Sequence, residues 1–285
     1  MSPQVSPLLS PNSSPPLDDN LLSEIFDSIS NENNGEEDIS PILPIVTSPA
    51  ASYPHSLKVF SISLLNRHKR DHIRFHQCPE GMEPLITELI SAWGGRLHLP
   101  KSVTDSFEYQ LNWKAWSEFR TDANAVCARS LLVSIFSKLA KHGWNFAIGM
   151  ELAKTEKGKD VLFFEKGEED DPEAHIICMN FPKQDRIKVI GAPPLVINKM
   201  AQSIKTTWPW GLQQGAPSYC KSFEFKLKGF PWLGELLRER KCIMMGMILD
   251  QLREQGYKSY ASVKITKKEK EMPTLFFRKV TNVFK

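Results

Sequence analysis

The chain has 285 residues, a formal net charge of +3 and a hydrophobic fraction of 41%. That apolar fraction is sufficient for one large or two ordinary globular domains. The sequence contains neither an apolar run approaching about 20 residues, the length of a bilayer-spanning helix, nor the basic start and apolar centre of a secretory signal. We therefore expect a cytoplasmic or nuclear protein without a membrane-spanning segment.

Charge divides the chain into two parts. No Lys or Arg precedes Lys58, whereas eight Asp and Glu residues lie before it. Residues 1–56 also contain nine of the 20 prolines and many Ser and Asn residues. Such a composition buries too little apolar surface to offset the entropy lost on ordering. We predict a disordered acidic tail over 1–56, followed by a basic folded body.

Six serines of the tail are each followed by proline. They are Ser2, Ser6, Ser10, Ser14, Ser40 and Ser48. This pattern is typical both of a proline-rich spacer and of proline-directed phosphorylation sites, where each phosphate adds about −1.5 to −2 charge. Phosphorylation would therefore make the tail more acidic.

A group of apolar residues in the tail has the spacing of one helix face. The group consists of Leu21, Leu22, Ile25, Phe26 and Ile29. Acidic residues lie on the opposite face, which predicts a short amphipathic helix that folds in the groove of a partner protein. The alternative is that this helix docks on the chain's own basic body as an inhibitory or stabilising arm.

The body begins with a first module, predicted over 57–166. Its predicted elements are strands at 59–64 and 72–76, a helix at 82–93, a strand at 107–111, a helix at 122–142 and a hairpin at 144–151 and 160–164. Apolar residues alternate in the strands and recur at i, i+3 and i+4 in the helices. Gly143 is the expected end of the long helix.

An acidic linker at 167–173 leads to a second module over 174–285. The second module repeats the order of predicted elements, and a ten-residue stretch occurs in both, as FEYQLNWKAW from Phe107 to Trp116 and FEFKLKGFPW from Phe223 to Trp232. Agreement over about a hundred residues predicts a tandem duplication. Each module is predicted as β-β-α-β-α-β-β, an α+β arrangement with an antiparallel sheet and helices on one face. The other face of each sheet would be solvated, packed against the sister module or used for a ligand.

Motifs of catalysis are missing from the sequence, which has no G-x-S-x-G elbow and no phosphate-binding loop. His68, His72, His76 and Cys78 offer zinc ligands, but His72 and His76 would lie about 13 Å apart along a strand at ~3.3 Å per residue. The five cysteines form no C-x-x-C pair and are expected to be reduced and mostly buried. We predict no catalytic residue, no metal and no cofactor.

Repeated positions carry the remaining candidates. Glu108 and Glu224 recur and are each expected to face solvent or a neighbouring Lys, and the Trp208 to Gly211 cluster is expected to close a core, with an exposed aromatic platform as the alternative. A basic surface is predicted from cations that occupy related turns and strands of the two modules. These cations are Arg67, Lys69, Arg70, Arg74, Lys183, Arg186, Lys188, Lys226 and Lys228.

The sequence therefore predicts a non-enzymatic adaptor with a regulatory acidic tail and a protein partner. The alternative is a nucleic-acid-binding or transcription-regulating protein that uses its basic body, whose binding would weaken steeply with added salt. A third interpretation is an enzyme with a cleft between the modules, which requires ionisable groups clustered at that junction.

Overall fold

The computed structural model describes residues 58–66, 69–99, 106–116, 122–152, 160–235, 237–266 and 272–285. The predicted tail helix and the Ser-Pro sites lie outside the described residues. The first module contains β1 (Val59–Leu65), β2 (His72–His76), α1 (Met82–Ala92), β3 (Gly95–Leu99), β4 (Ser106–Leu111), α2 (Asp122–Lys141), β5 (Trp144–Glu151) and β6 (Asp160–Lys166). The second contains β7 (Ile176–Asn180), β8 (Arg186–Ile190), α3 (Pro194–Thr207), β9 (Leu212–Ser218), β10 (Ser222–Leu227), α4 (Arg238–Glu254), β11 (Tyr257–Val263) and β12 (Thr274–Lys279).

Each module forms one six-stranded antiparallel sheet. The strand order is β3-β4-β2-β1-β6-β5 in the first sheet and β9-β10-β8-β7-β12-β11 in the second, which is the same topology. Neighbouring strands of both sheets pair antiparallel. The predicted α+β fold with a tandem repeat is thereby confirmed.

Each module has one strand more than the predicted β-β-α-β-α-β-β order. The additional strands, β3 and β9, lie at the same edge of the two sheets and complete a β-β-α-β-β-α-β-β module. Strand β9 has the sequence LQQGAPS, with Gly215 and Pro217 in its second half and no β-branched or aromatic residue, so its sequence has no strand-like alternation. An edge position tolerates this composition, because one side of an edge strand makes no ladder hydrogen bonds.

Alternation in the strands places one set of side chains under the helices. In β1, Phe60, Ile62 and Leu64 are buried, while Val59 on the opposite face is exposed. Full burial of a side chain of this size contributes about 1.5–3 kcal/mol. The tryptophan that ends each repeated stretch binds the neighbouring strand of the sheet. The Trp116 indole N–H donates to the His72 carbonyl at 3.0 Å, and the Trp232 indole N–H donates to the Arg186 carbonyl at 3.1 Å.

Helix α2 lies between the two sheets. The ring of Phe136, which is fully buried, is 5.4 Å from Phe164 on the helix-facing side of the first sheet. The same ring is 4.8 Å from Phe276 of the second sheet. Phe276 is next to Phe277, which faces α3 and α4 in the second core, so Phe276 points to the opposite face. Three uses were predicted for the sheet face that its own helices leave free. For the second sheet, packing against the sister module is the one observed.

The interior position of α2 also accounts for its composition. The helix is 20 residues long and apolar enough to meet the length and composition criteria for a membrane span. Twelve of its residues are buried within the fold. A helix that is apolar around most of its circumference is expected when protein covers it on both sides.

Candidate functional surfaces

Glu108 forms a buried ion-pair cluster in the middle of β4. Its neighbours Phe107 and Tyr109 point into the core, so Glu108 faces away from the helices. The side chain is only 1% exposed. Its Oε1 is 2.5 Å from His72 Nδ1, and its Oε2 accepts a hydrogen bond from Arg74 Nε at 2.6 Å. A buried carboxylate needs such partners, because desolvation of an unpaired charge is costly.

Glu224 repeats this arrangement in β10. It is paired with Arg186, and its Oε2 lies 3.2 Å from Lys188 Nζ. The registers agree, since Arg74 is opposite Glu108 and Lys188 is opposite Glu224. The expectation of a neighbouring Lys is confirmed for Glu224. The duplicated glutamate is therefore a structural element that contacts two basic side chains of the adjacent strand.

The first cluster also resembles a metal site in composition. His72, His98 and Glu108 bring potential ligand atoms within 4.8 Å of one another, and the two imidazole rings are 4.8 Å apart. His72 and Arg74 already contact both carboxylate oxygens of Glu108, and the second module has cations at the positions of both. We interpret the cluster as an ion-pair network, with His98 at its exposed edge.

A second histidine of β2 lies next to this network. Burial, together with the charge of Arg74, lowers the pKa of His76 below 6.5. Its Nε2 is 2.8 Å from the Ser63 hydroxyl. His76 is thus held neutral in the fold near physiological pH.

The predicted basic surface is divided by these contacts. Arg74, Arg186 and Lys188 are paired with the repeated glutamates and lie within the sheets. Lys183 Nζ lies 3.9 Å from Asp122 Oδ2. The other predicted cations are exposed at Lys69, Arg70 and Lys228 and half-buried at Lys226, and Arg67 lies outside the described residues. A polyanion would therefore meet a smaller set of cations than the sequence suggests.

Arg278 joins the linker, the first module and the end of the chain. Its side chain is 1% exposed, and its Nη2 donates to Asp171 Oδ2 at 2.6 Å. It also donates to the Asn145 amide oxygen of β5, and its guanidinium lies 4.3 Å from the centre of the Phe284 ring. Asp171 accepts a further hydrogen bond from the Thr281 hydroxyl at 2.7 Å.

A cavity of about 540 Å³ opens where β5 and β11 meet. Phe146, Ile148, Leu249 and Phe276 are among its lining residues. The Phe146 N–H donates to the Tyr260 hydroxyl at 2.7 Å, and burial raises the pKa of Tyr260 to about 12. Among the described lining residues Tyr260 is the only ionisable one. The clustered acids and bases that a catalytic cleft requires are therefore missing from this lining.

Helix α4 exposes three apolar side chains, of which Ile243 and Met247 lie one turn apart on one flank of the helix and Leu249 lies on the other flank. Ile243, Met247 and Leu249 are 48%, 38% and 39% exposed. The two long helices, α2 and α4, can be aligned by the glycines that follow them, Gly143 and Gly256. In this alignment Leu249 is equivalent to Phe136 and Ile243 to Ser130. Both α2 residues are buried. The position that the second sheet covers on α2, at Phe136, is thus partly exposed on α4, at Leu249, which borders the cavity where β5 and β11 meet.

The tryptophan cluster after α3 contains one core and one surface residue. Trp208 is buried and donates its indole N–H to the Lys228 carbonyl at 2.8 Å. Trp210 is exposed, as is Phe230. The core interpretation holds for Trp208, while Trp210 has the exposure that the aromatic-platform alternative requires.

Sequence reasoning missed the α4 surface and the Arg278 network. Leu249 is apolar and lies within one turn of Ile248 and Leu252, but only the latter two are buried. A signal for the difference was present, because α2 is apolar on more of its circumference than α4. No pattern marked Arg278, whose partners are distant in sequence.

A protein-family model defined by a domain of unknown function matches the chain twice, at residues 59–165 and 175–278. The two matched ranges coincide closely with the two sheets and their helices. Neither a curated protein nor a solved structure matches the chain.

Proposed function

This chain belongs to the family defined by that repeated domain, and we propose that it is a non-enzymatic protein-interaction protein that binds a partner through the apolar side chains that α4 exposes. The proposal is carried by one observation: Ile243, Met247 and Leu249 are partly exposed on α4, whereas Phe136, the α2 counterpart of Leu249, is covered by the second sheet. Its acidic tail, which we propose to recruit a second partner through Leu21 to Ile29, supplies the regulated arm.

The internal contact of α2 indicates the chemistry of the α4 partner. There, Phe136 packs against Phe276, and Arg129 Nε donates to the Thr274 hydroxyl at 3.0 Å. A sheet face with apolar side chains and hydroxyl groups is therefore the surface that suits α4. Covering three partly exposed side chains of this size stabilises a complex by roughly 1 kcal/mol each.

Gly246 in the middle of α4 supports a close approach by the partner. A glycine inside an exposed helix costs about 0.5–1 kcal/mol relative to alanine. A Cβ at Gly246 would meet nothing within 4 Å among the described residues, so none of their contacts requires a glycine here. A backbone or side chain of the partner lying against this turn would give the glycine a role.

The charge distribution favours a protein over nucleic acid as partner of the body. Glu108 and Glu224 pair with Arg74, Arg186 and Lys188 and offset part of their positive charge. Nucleic-acid binding depends on many phosphate contacts and the release of counterions. Burying cations against carboxylates lowers the number of such contacts.

Crosslinking from α4 in the full-length protein tests the proposal. A photoreactive amino acid replaces Ile243 in one sample and Leu195, an exposed residue of α3, in the control sample. We expect nuclease-resistant crosslinks to one protein from position 243, mapped to a sheet face of that protein. Binding of the purified partner should weaken at least tenfold with M247E, because a charge replaces an apolar contact, and stay unchanged with L195E.

The competing outcomes are distinct. Equal crosslinking from both positions would contradict a docking site on α4. Crosslinks to nucleic acid that vanish with nuclease and with added salt would favour the basic-body alternative. Crosslinks between copies of this chain, with self-association seen by light scattering, would replace the adaptor proposal with self-assembly. For the tail, the F26A variant should lose a separate partner and keep the α4 crosslink.

A further inference from the structure

Cys127 and Cys220 bring two thiols together across the module junction. Cys127 is in the first half of α2, and Cys220 is in the turn between β9 and β10 of the second module. Their sulfur atoms are 3.6 Å apart although 93 residues separate them in sequence. The sequence predicted buried, unpaired thiols, and no spacing pattern pointed to this pair.

The pair has an accessible member and a protected one. Cys127 is buried, while Cys220 is partly exposed. Cys220 and its neighbour Lys221 both have positive φ angles, 49° and 55°, a region that residues with a Cβ rarely adopt. The left-handed turn places the Cys220 side chain toward α2.

We propose that Cys127 and Cys220 form an oxidisable dithiol that hydrogen peroxide or a small disulfide converts into a covalent bond between the two modules. A disulfide has a sulfur–sulfur distance of about 2.05 Å, so the thiols must approach by about 1.5 Å. Rotation of the Cys220 side chain and adjustment of its turn supply this movement, because Cys220 lies outside the paired residues of β9 and β10. Helix α2 can stay in place.

The two thiols differ in reactivity. Hydrogen bonding from Cys127 lowers the pKa of Cys220. The same hydrogen bond, with burial, raises the pKa of Cys127. Since the thiolate is the reactive form, Cys220 is the nucleophile toward the oxidant and Cys127 is the resolving thiol.

The reaction with peroxide balances in two steps. The Cys220 thiolate attacks one peroxide oxygen, the O–O bond breaks, and the released hydroxide takes up a proton to form water, which leaves a sulfenic acid on Cys220. The Cys127 sulfur then attacks the Cys220 sulfur, and the S–O bond breaks. The leaving hydroxide takes the Cys127 proton, so that two thiols lose two electrons and the peroxide becomes two waters.

The bond would fasten α2 to the sheet that covers it. Closing a loop of this length restricts the unfolded chain and raises the stability of the fold. Because α2 is the layer shared by both modules, the crosslink joins them directly. Opening of the junction would then require reduction.

The test uses the reduced full-length protein and hydrogen peroxide. Peptide mapping without reductant should find Cys127 joined to Cys220, and the melting temperature should rise by roughly 5 °C or more and return with dithiothreitol. The C220S variant should show no such rise. In C127S the reaction should stop at the sulfenic acid of Cys220, which dimedone traps.

C242S provides the matched control, since Cys242 is exposed on α4 and outside the pair. It should form the crosslink as the natural chain does. Modification of Cys242 by peroxide without any Cys127–Cys220 peptide would overturn the proposal. An equal rise in melting temperature in C220S would do the same, and if C127S does not fold, the dimedone trap is omitted and C220S decides.

Discussion

Replacement of Asp171 by Asn tests whether the buried ion pair with Arg278 stabilises the module junction. Both side chains are almost inaccessible, at 3% for Asp171 and 1% for Arg278. Removing one partner of a buried pair costs about 3–5 kcal/mol, because the other charge remains desolvated. The Asn145 amide and the Phe284 ring still contact the guanidinium, so we expect about 3 kcal/mol for D171N, at the lower end of the range for breaking a buried pair.

Tryptophan fluorescence during urea and thermal unfolding gives the measurement. For a folded body of this size, a loss of about 3 kcal/mol lowers the melting temperature by roughly 6–12 °C. The urea midpoint should fall while the slope of the transition stays constant, since the surface exposed on unfolding does not change.

The preceding residue is a matched control. Asp170 pairs with Lys166 at 2.8 Å, but its side chain is 56% exposed, and hydrogen bonding from Lys166 lowers the pKa of the Asp170 carboxyl. Water screens such a pair, which contributes about 0–1 kcal/mol. If D170N and D171N shift the urea midpoint equally, the assignment of the junction to a buried ion pair is wrong.

Three further predictions concern the helices and the histidines. F136A should lower the free energy of unfolding by about 3–5 kcal/mol, because it leaves a cavity between two sheets. L249A, at the equivalent place on α4, should lower it by about 1 kcal/mol or less. Similar urea midpoints for the two variants would contradict the position of α2 between the sheets. G246A should raise the free energy of unfolding by about 0.5–1 kcal/mol, since the added methyl meets nothing within 4 Å, and a loss of stability would show that the glycine has an intramolecular role. Burial lowers the pKa of both His76 and His175 below 6.5, with a further contribution from Arg74 at His76 and from Lys279 at His175. As the pH falls, the unfolded chain therefore binds protons before the folded chain does. The contribution of these histidines to the free energy of unfolding should therefore be complete above pH 6.5 and decline below it. Urea unfolding at pH of about 7.5 and about 5.5 should show a smaller decline in H175Q than in the natural chain.

The duplication could be read from the sequence because it repeats both periodicity and specific residues. Phe107, Tyr109 and Leu111 alternate with polar residues and lie in the core, and their second-module counterparts follow the same rule. Strand β9 could not be read, because LQQGAPS has no apolar alternation and owes its strand conformation to pairing with β10. Local pattern determines a strand only where one face is buried.

The candidate surfaces were less predictable for a different reason. The cations Arg186 and Lys188 could be located on a strand, but their neutralisation depends on Glu224 one strand away. Leu249 has the helical spacing of a core residue, and only the missing covering layer makes it a surface residue. Pairing across elements and the end of a stack are properties of the tertiary structure, and single-sequence periodicity does not contain them.

The position of α2 gives the tandem array a direction. A helix layer of one module covers the sheet of the next. Joining modules by this rule therefore produces two chemically different ends, a sheet end and a helix end. However many modules were added, one sheet would lack a helix layer on its far face at the sheet end, and one helix layer would lack a second sheet at the helix end. In this chain the sheet end is the face that carries Val59 and Ile148, and the helix end is α4. Lengthening the array would move these two ends apart without ever removing either of them.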